Sequence, residues 1–128
     1  MYQEDCDIIY SVAGGTGNGI IEAAKDYNRY VIGVDANQDH LAKGNVLTSM
    51  MKMLDVSVVD LCEKFLKKEL IGNTIYEYGY KNGGVGITEM EYTKEKIDPK
   101  ILEKVKEIEK LLIDGKIKVT NSYVPEKK

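Results

Sequence analysis

Asp7-Ile8-Ile9-Tyr10-Ser11-Val12-Ala13-Gly14-Gly15-Thr16-Gly17-Asn18-Gly19 sets a short apolar run directly against a glycine cluster, and the fold is read outward from that junction. Residues 7–12 are rich in apolar and β-branched side chains, the composition of a strand buried in a parallel sheet. The glycines then break the extended chain. From Ile20 onward, Ile21, Ala24 and Tyr27 share one helical face, while Glu22, Lys25 and Asp26 are available to solvent. Tyr30-Val31-Ile32-Gly33-Val34-Asp35 is a second buried strand. Two such strands joined by a helix form a right-handed βαβ crossover, which makes the class α/β.

Downstream, a polar link from Ala36 to Gly44 leads to Asn45–Met51, which reads as a third strand, with helix as the alternative because of its methionines. Asp55 is the expected N-cap of a helix reaching about Leu70, with Val59, Cys62, Leu66 and Leu70 on its apolar side and Phe65 in the core. Thr74–Tyr80 alternates as a strand does, and Lys81-Asn82-Gly83-Gly84 ends it in a turn. The last helix carries the clearest signals: Asp98 as N-cap, Pro99 at the first helical position, and Gly115 as a left-handed stop. Its expected buried stripe is Ile101, Val105, Ile108 and Leu112. No linker or repeat divides residues 1–128, so one α/β domain is expected.

Composition removes several function classes. Eighteen Lys plus Arg stand against 21 Asp plus Glu, which leaves no basic face for nucleic acid, and the tail Glu126-Lys127-Lys128 is too short to supply one. No window approaches 18 apolar residues. Met1-Tyr2-Gln3-Glu4-Asp5-Cys6 lacks the basic start and apolar run of a secretory signal. Cys6 and Cys62 have no metal-like spacing, His40 is the only histidine, and Asp5, Asp7 and Asp39 have no convincing ligand spacing, so no metal or cofactor is expected. Cys62 reads as a small buried hydrophobe. Ser11 and Ser49 lie in no nucleophile motif, and no carboxylate pair is spaced for acid–base work, so no catalytic residue is expected.

Four residues stand out as binding candidates. Gly14 and Gly15 lie in a strand-to-helix turn where a ligand can approach backbone and free helix N–H groups. The order G-G-T-G-N-G fits neither G-x-G-x-x-G nor a P-loop, and a tight turn whose glycines only supply unusual dihedrals fits as well. Asp35, 20 residues beyond Gly15, ends the second strand on the edge where open α/β sheets bind ligands. Its carboxylate suits adjacent ribose hydroxyls; a solvated loop aspartate or a helix cap is the alternative. Lys52 closes the third strand and would bring a cation near that carboxylate, or is an ordinary surface lysine. Gly83-Gly84-Val85-Gly86 is a second glycine segment that approaches the same cleft or forms a plain hairpin.

Taken in order, Val12-Ala13-Gly14-Gly15-Thr16-Gly17-Asn18-Gly19, Val31-Ile32-Gly33-Val34-Asp35, Gln38-Asp39, Gly44-Asn45-Val46-Leu47-Thr48-Ser49-Met50 and Gly83-Gly84-Val85-Gly86 resemble the basic membrane protein family of bacterial ABC-transporter solute-binding lipoproteins, which includes purine-nucleoside receptors. The resemblance spans roughly residues 5 to 90. It implies parallel-sheet βαβ units like the carboxy-terminal part of a type I periplasmic binding protein, whose two hinged lobes hold a ligand between them. It also implies that Asp35 binds ribose hydroxyls, that Gly14 and Gly15 line the ribose side, and that Lys52 sits nearby. The implied partners are a small-molecule ligand such as a purine nucleoside and a membrane permease; the implied location is lipid-anchored outside the cytoplasmic membrane.

Family proteins are far longer. On the resemblance the chain starts where a second lobe is half built, lacks the lipobox cysteine and first lobe, and carries Met53 where relatives often have a basic residue. The segment from Asn45 to Tyr80 would return to the first lobe. Uncovered edges and apolar faces lead to the expectation of a homodimer or larger assembly. Two other readings stay open: a Rossmann-like nucleotide-binding enzyme or regulator, motivated by Gly15 and Asp35, and a self-associating structural remnant that binds no ligand.

Overall fold

The computed structural model describes residues 1–120; the tail Glu126-Lys127-Lys128 lies outside them. Strands β1 (Ile8–Tyr10), β2 (Tyr30–Gly33), β3 (Val46–Lys52) and β4 (Val85–Ile87) form one sheet in that spatial order. The first three run parallel, with Tyr10 opposite Ile32 and Gly33 opposite Ser49, and β4 joins β3 antiparallel with Val85 opposite Lys52. Helices α1 (Gly17–Asp26), α2 (Leu54–Leu66) and α3 (Pro99–Ile113) complete the α/β fold.

The core lies between α1 and one face of the sheet. Ile21 and Ala24 of the helix pack with Val31 and Val46 from the strands, joined by Ala42 and Tyr2. Alternation along the strands sends Ile8, Tyr10 and Tyr30 to the other face, where all three are exposed. Asn45 fastens the helix end, because its side-chain amide donates to the Arg29 carbonyl at 2.9 Å and reaches the Ala24 carbonyl at 3.4 Å. Tyr2 completes this core from the amino-terminal turn. Its ring is buried, it stacks on Tyr27, and its hydroxyl donates to the Tyr30 carbonyl at 2.7 Å.

Several sequence expectations are corrected. Helix α1 starts at Gly17, three residues before Ile20, and Tyr27 is its exposed C-cap. Thr74–Tyr80 pairs with no strand; β3 is bordered by β2 and β4, and the ladder falls on Val85–Ile87 in the second glycine segment. The turn over 81–84 is present, closed by Gly83 at φ +70°. Helix α2 has Met53 at its N-cap and Asp55 in its first turn. It stops at Leu66 because Lys68 adopts φ +59° and Glu69 N–H turns back to the Lys64 carbonyl.

No residue of α2 is buried. Phe65, Cys62, Val59, Leu66 and Leu70 are all exposed, because no layer of the described residues covers that face. The periodicity is real, but it marks a side with no neighbour. In α3, the Asp98 carboxylate accepts the Lys100 N–H at 2.9 Å and Gly115 ends the helix at φ +70°, as the sequence predicts. The facing stripe is rotated, however: Leu102, Val105 and Leu112 are half-buried, whereas Ile101 and Ile108 are open. This side of α3 rests on the turn over Tyr80–Asn82 and closes a 120 Å³ cavity with Ile87, Thr88 and Met90. Among the described residues no helix is long and apolar enough to cross a membrane.

Candidate ligand-binding site

All four candidate residues lie beyond, or at, the carboxyl ends of adjacent parallel strands. The glycine turn follows β1, Asp35 lies two residues past the end of β2, and Lys52 is the last residue of β3. This is the edge at which open α/β sheets take ligands. Gly14 has φ +53° and opens a short 3₁₀ turn over Gly14–Thr16 that runs into α1. Open space surrounds the positions where side chains on Gly14 and Gly15 would begin. Gly17 has a packing role instead: a Cβ there would stand 2.8 Å from Ser11 Oγ, which is tucked beneath the start of the helix. That hydroxyl is buried and has no hydrogen-bond partner among the described residues.

Asp35 and Lys52 are in direct contact. Lys52 Nζ is 2.6 Å from Asp35 Oδ1, and each side chain is 52 % exposed, so the carboxylate is oriented by a cation yet open to solvent. Hydrogen bonding to Asp35 holds the Lys52 ammonium above the ordinary lysine value; the carboxylate charge and, more weakly, Tyr10 act in the same direction, against partial desolvation. The backbones are joined as well, with Lys52 N–H donating to the Asp35 carbonyl at 3.0 Å.

Asp35 itself has φ +72°, a region unfavourable for a residue with a Cβ. Ala36 N–H donates to the Val34 carbonyl at 2.9 Å across it. Positive φ and an i to i+2 bond together describe the rare, strained form of the γ-turn.

Behind this turn is a polar network with no role assigned from sequence. Gln38 Oε1 accepts the Val34 N–H at 2.9 Å, and the Gln38 N–H donates to Ser49 Oγ at 3.0 Å. Ser49 Oγ donates to Asp39 Oδ1 at 2.7 Å, and both residues are fully or almost fully buried. Thr88 extends the network into β4 by accepting the Ser49 N–H. Gln38-Asp39 and Ser49 appear among the family-like motifs, but their type gives no hint that they meet behind Asp35. The one legible trace is Gly33, where a Cβ would lie 2.6 Å from Ser49 Oγ and 2.8 Å from Gln38 Oε1.

The glycine segment over 83–86 is a strand with its entry turn: Gly84 accepts the Met53 N–H, and Gly86 lies opposite Met51. His40 is an exposed loop residue. Among the described residues no group of three or more His, Cys, Asp or Glu side chains is placed to hold a metal ion.

Over residues 1–128 the sequence matches the Bmp family, described as ABC transporter substrate-binding protein, PnrA-like. The chain belongs to the Bmp family. Among its relatives, basic membrane protein D of Borreliella burgdorferi is 37 % identical over 93 % of this chain and 36 % of that protein. The ABC transporter nucleoside-binding protein BmpA of Lactococcus lactis is 34 % identical, with 93 % of this chain and 37 % of the relative aligned. The chain therefore spans little more than a third of the length of these Bmp proteins.

Solved structures agree on the fold. An ABC-transporter solute-binding protein from Aeropyrum pernix superposes with a TM-score of 0.77 at 25 % identity, over 96 % of this chain and 43 % of the other. A Bacillus halodurans protein described as a transcriptional activator of the comK gene superposes at 0.80 with 22 % identity, over 91 % and 40 % of the two chains, and speaks for the fold alone.

Proposed function

We propose that this chain supplies the ribose-binding wall of a nucleoside-binding cleft in an ABC importer, and that it holds its ligand without altering it. The observation that carries this reading is the Asp35 carboxylate, fixed by Lys52 at the strand-end edge and still half exposed. An ionised carboxylate accepts two hydrogen bonds and donates none, which matches the vicinal hydroxyls of ribose. The Lactococcus relative, described as nucleoside-binding, supports the same ligand class. In the Bmp family setting, the loaded protein hands its solute to a membrane permease outside the cytoplasmic membrane.

The electrostatics favour an uncharged ligand. Asp35 places a negative charge at the edge, and the neighbouring Lys52 cation is already paired with it. A phosphate would meet a carboxylate, and the lysine beside it is already engaged by Asp35. Calorimetric titration with guanosine, adenosine, their monophosphates and NAD tests the reading. Binding of the ribonucleosides in preference to their monophosphates is expected. Binding of nucleotides alone would replace it with a Rossmann-like nucleotide site, and no binding at all would refute a working site on this chain.

A second observation favours self-association. Leu54, Val58, Leu61 and Phe65 recur along α2 at the four- and three-residue steps of a helix-pairing seam, and none is buried. Val56, Val59 and Leu66 on the other sides of the helix, and Leu70, Ile71 and Ile75 beyond its end, are exposed as well. A homodimer or larger assembly through α2 is the proposed state. Light scattering on concentrated protein should give twice the chain mass or more; a monodisperse monomer would exclude it.

A further inference from the structure

We propose that Gln38 is a positioning residue: with its backbone N–H anchored by Ser49, its carboxamide holds the strained turn that presents Asp35 and its attached Lys52 to ligand. Strained backbone persists only where the surroundings over-determine it, and the turn at Asp35 is held by three hydrogen bonds. Its carbonyl is taken by the Lys52 N–H, the Val34 carbonyl by the Ala36 N–H, and the Val34 N–H by Gln38 Oε1. The last of these is the one supplied by a side chain.

Gln38 is itself held at two points. Its N–H is bound by Ser49 Oγ and its carbonyl accepts the Leu41 N–H at 2.9 Å. Ser49, wholly buried in β3, is in turn fixed by Asp39, which is 2 % exposed, and by Thr88. The route from the buried sheet to the exposed carboxylate is therefore a chain of hydrogen bonds, Thr88 to Ser49 to Gln38 to Val34. Gly33 leaves the room for it: a Cβ there would stand 2.8 Å from the same Gln38 oxygen and 3.1 Å from Gln38 Cβ.

This inference rests on Asp35 being the ligand carboxylate, but its first readout needs no ligand. Gln38→Met keeps the side-chain length and removes the acceptor; Gln38→Glu keeps an acceptor. Thr93→Val serves as a structural control, since it deletes another buried side-chain bond to the same strand, the 2.6 Å donation to the Leu47 carbonyl, far from the turn in the bonding network. The Lys52 ammonium is titrated by NMR in each. It should remain above 10.5 in wild type, Gln38→Glu and Thr93→Val, and fall back towards 10.5 in Gln38→Met.

Guanosine affinity should drop on the order of tenfold in Gln38→Met and recover in Gln38→Glu. If Gln38→Met does not fold, Gln38→Asn, whose carboxamide falls short of Val34, takes its place with the same expectations. An unchanged Lys52 titration on loss of the acceptor, or an equal change in Thr93→Val, would overturn the role of Gln38. A wild-type chain that binds no nucleoside would instead overturn the nucleoside reading, while the Lys52 titration still decides the role of Gln38.

Discussion

Asp35 and Lys52 are clasped twice, main chain to main chain at 3.0 Å and side chain to side chain at 2.6 Å. The first bond sets where the carboxylate begins and the second sets where it points. Because both side chains are half exposed, solvent screens the ion pair and it adds little to stability. Asp35→Ala is therefore expected to leave the thermal midpoint nearly unchanged while weakening ribonucleoside binding roughly 10- to 100-fold, the range for a charged hydrogen bond. Calorimetry and a melting curve on the same sample check both halves. Undiminished affinity would remove Asp35 from the site.

Ser11→Ala should stabilise the protein. The hydroxyl is buried beneath α1 without a partner, so it bears a desolvation cost of about 1–3 kcal/mol that the methyl group avoids. Gly17→Ala should do the opposite, because its Cβ would stand 2.8 Å from the same oxygen. Chemical denaturation of the two single variants and the double variant reads this out, and the double should recover part of the loss.

Tyr78 should titrate at about 12, since it donates to Asp60 at 2.7 Å and that carboxylate opposes the phenolate. Asp60 is held below its ordinary 3.8 by the hydrogen bond from Lys64 first and that from Tyr78 second. The signs define a window. The Tyr78 contribution is full below pH 10 and is lost as pH rises through about 12; that of Asp60 is present above 3.8 and is lost as pH falls through its depressed value. Ultraviolet titration of Asp60→Asn should show the phenol returning towards 10; persistence near 12 would contradict the assignment.

Val58→Glu combined with Phe65→Glu should reduce any assembly to monomer. Both positions are exposed, at 58 % and 68 %, so within one chain the change should cost under about 0.5 kcal/mol per site. Light scattering together with circular dichroism separates loss of assembly from loss of fold. An oligomer of unchanged mass would place the interface elsewhere, the open sheet face at Ile8, Tyr10 and Tyr30 being the next surface to test.

The parallel core was legible because its signals are local. Residues 7–12 and 30–35 each hold a short apolar, β-branched run, and Asp98, Pro99 and Gly115 announce their helix in the chemistry of single residues. What depended on missing neighbours was not. The periodicity of α2 states that one side is apolar but not that anything lies against it, so Cys62 and Phe65 were expected in a core that the described residues do not form. Thr74–Tyr80 alternates like a strand, yet the free flank of β3 goes to Val85–Ile87. At the site, Asp35 and Lys52 could be placed from strand ends alone. Gln38 could not, because its role depends on a long-range meeting with Ser49 and on a backbone angle at Asp35 that residue identity does not announce.

Gly33 also limits how this chain can drift. A side chain there would occupy space held by Ser49 Oγ and Gln38 Oε1, so residue 33 cannot be enlarged while both neighbours keep their places. Enlarging residue 33 requires both Ser49 and Gln38 to give way, and the second of these frees the Asp35 turn before anything has been gained. The shortest mutational routes away from glycine thus pass through a weakened Asp35 turn. A lineage relieved of the need to bind ligand should lose Gln38 and Gly33 together, leaving a paired change that records when the site fell out of use.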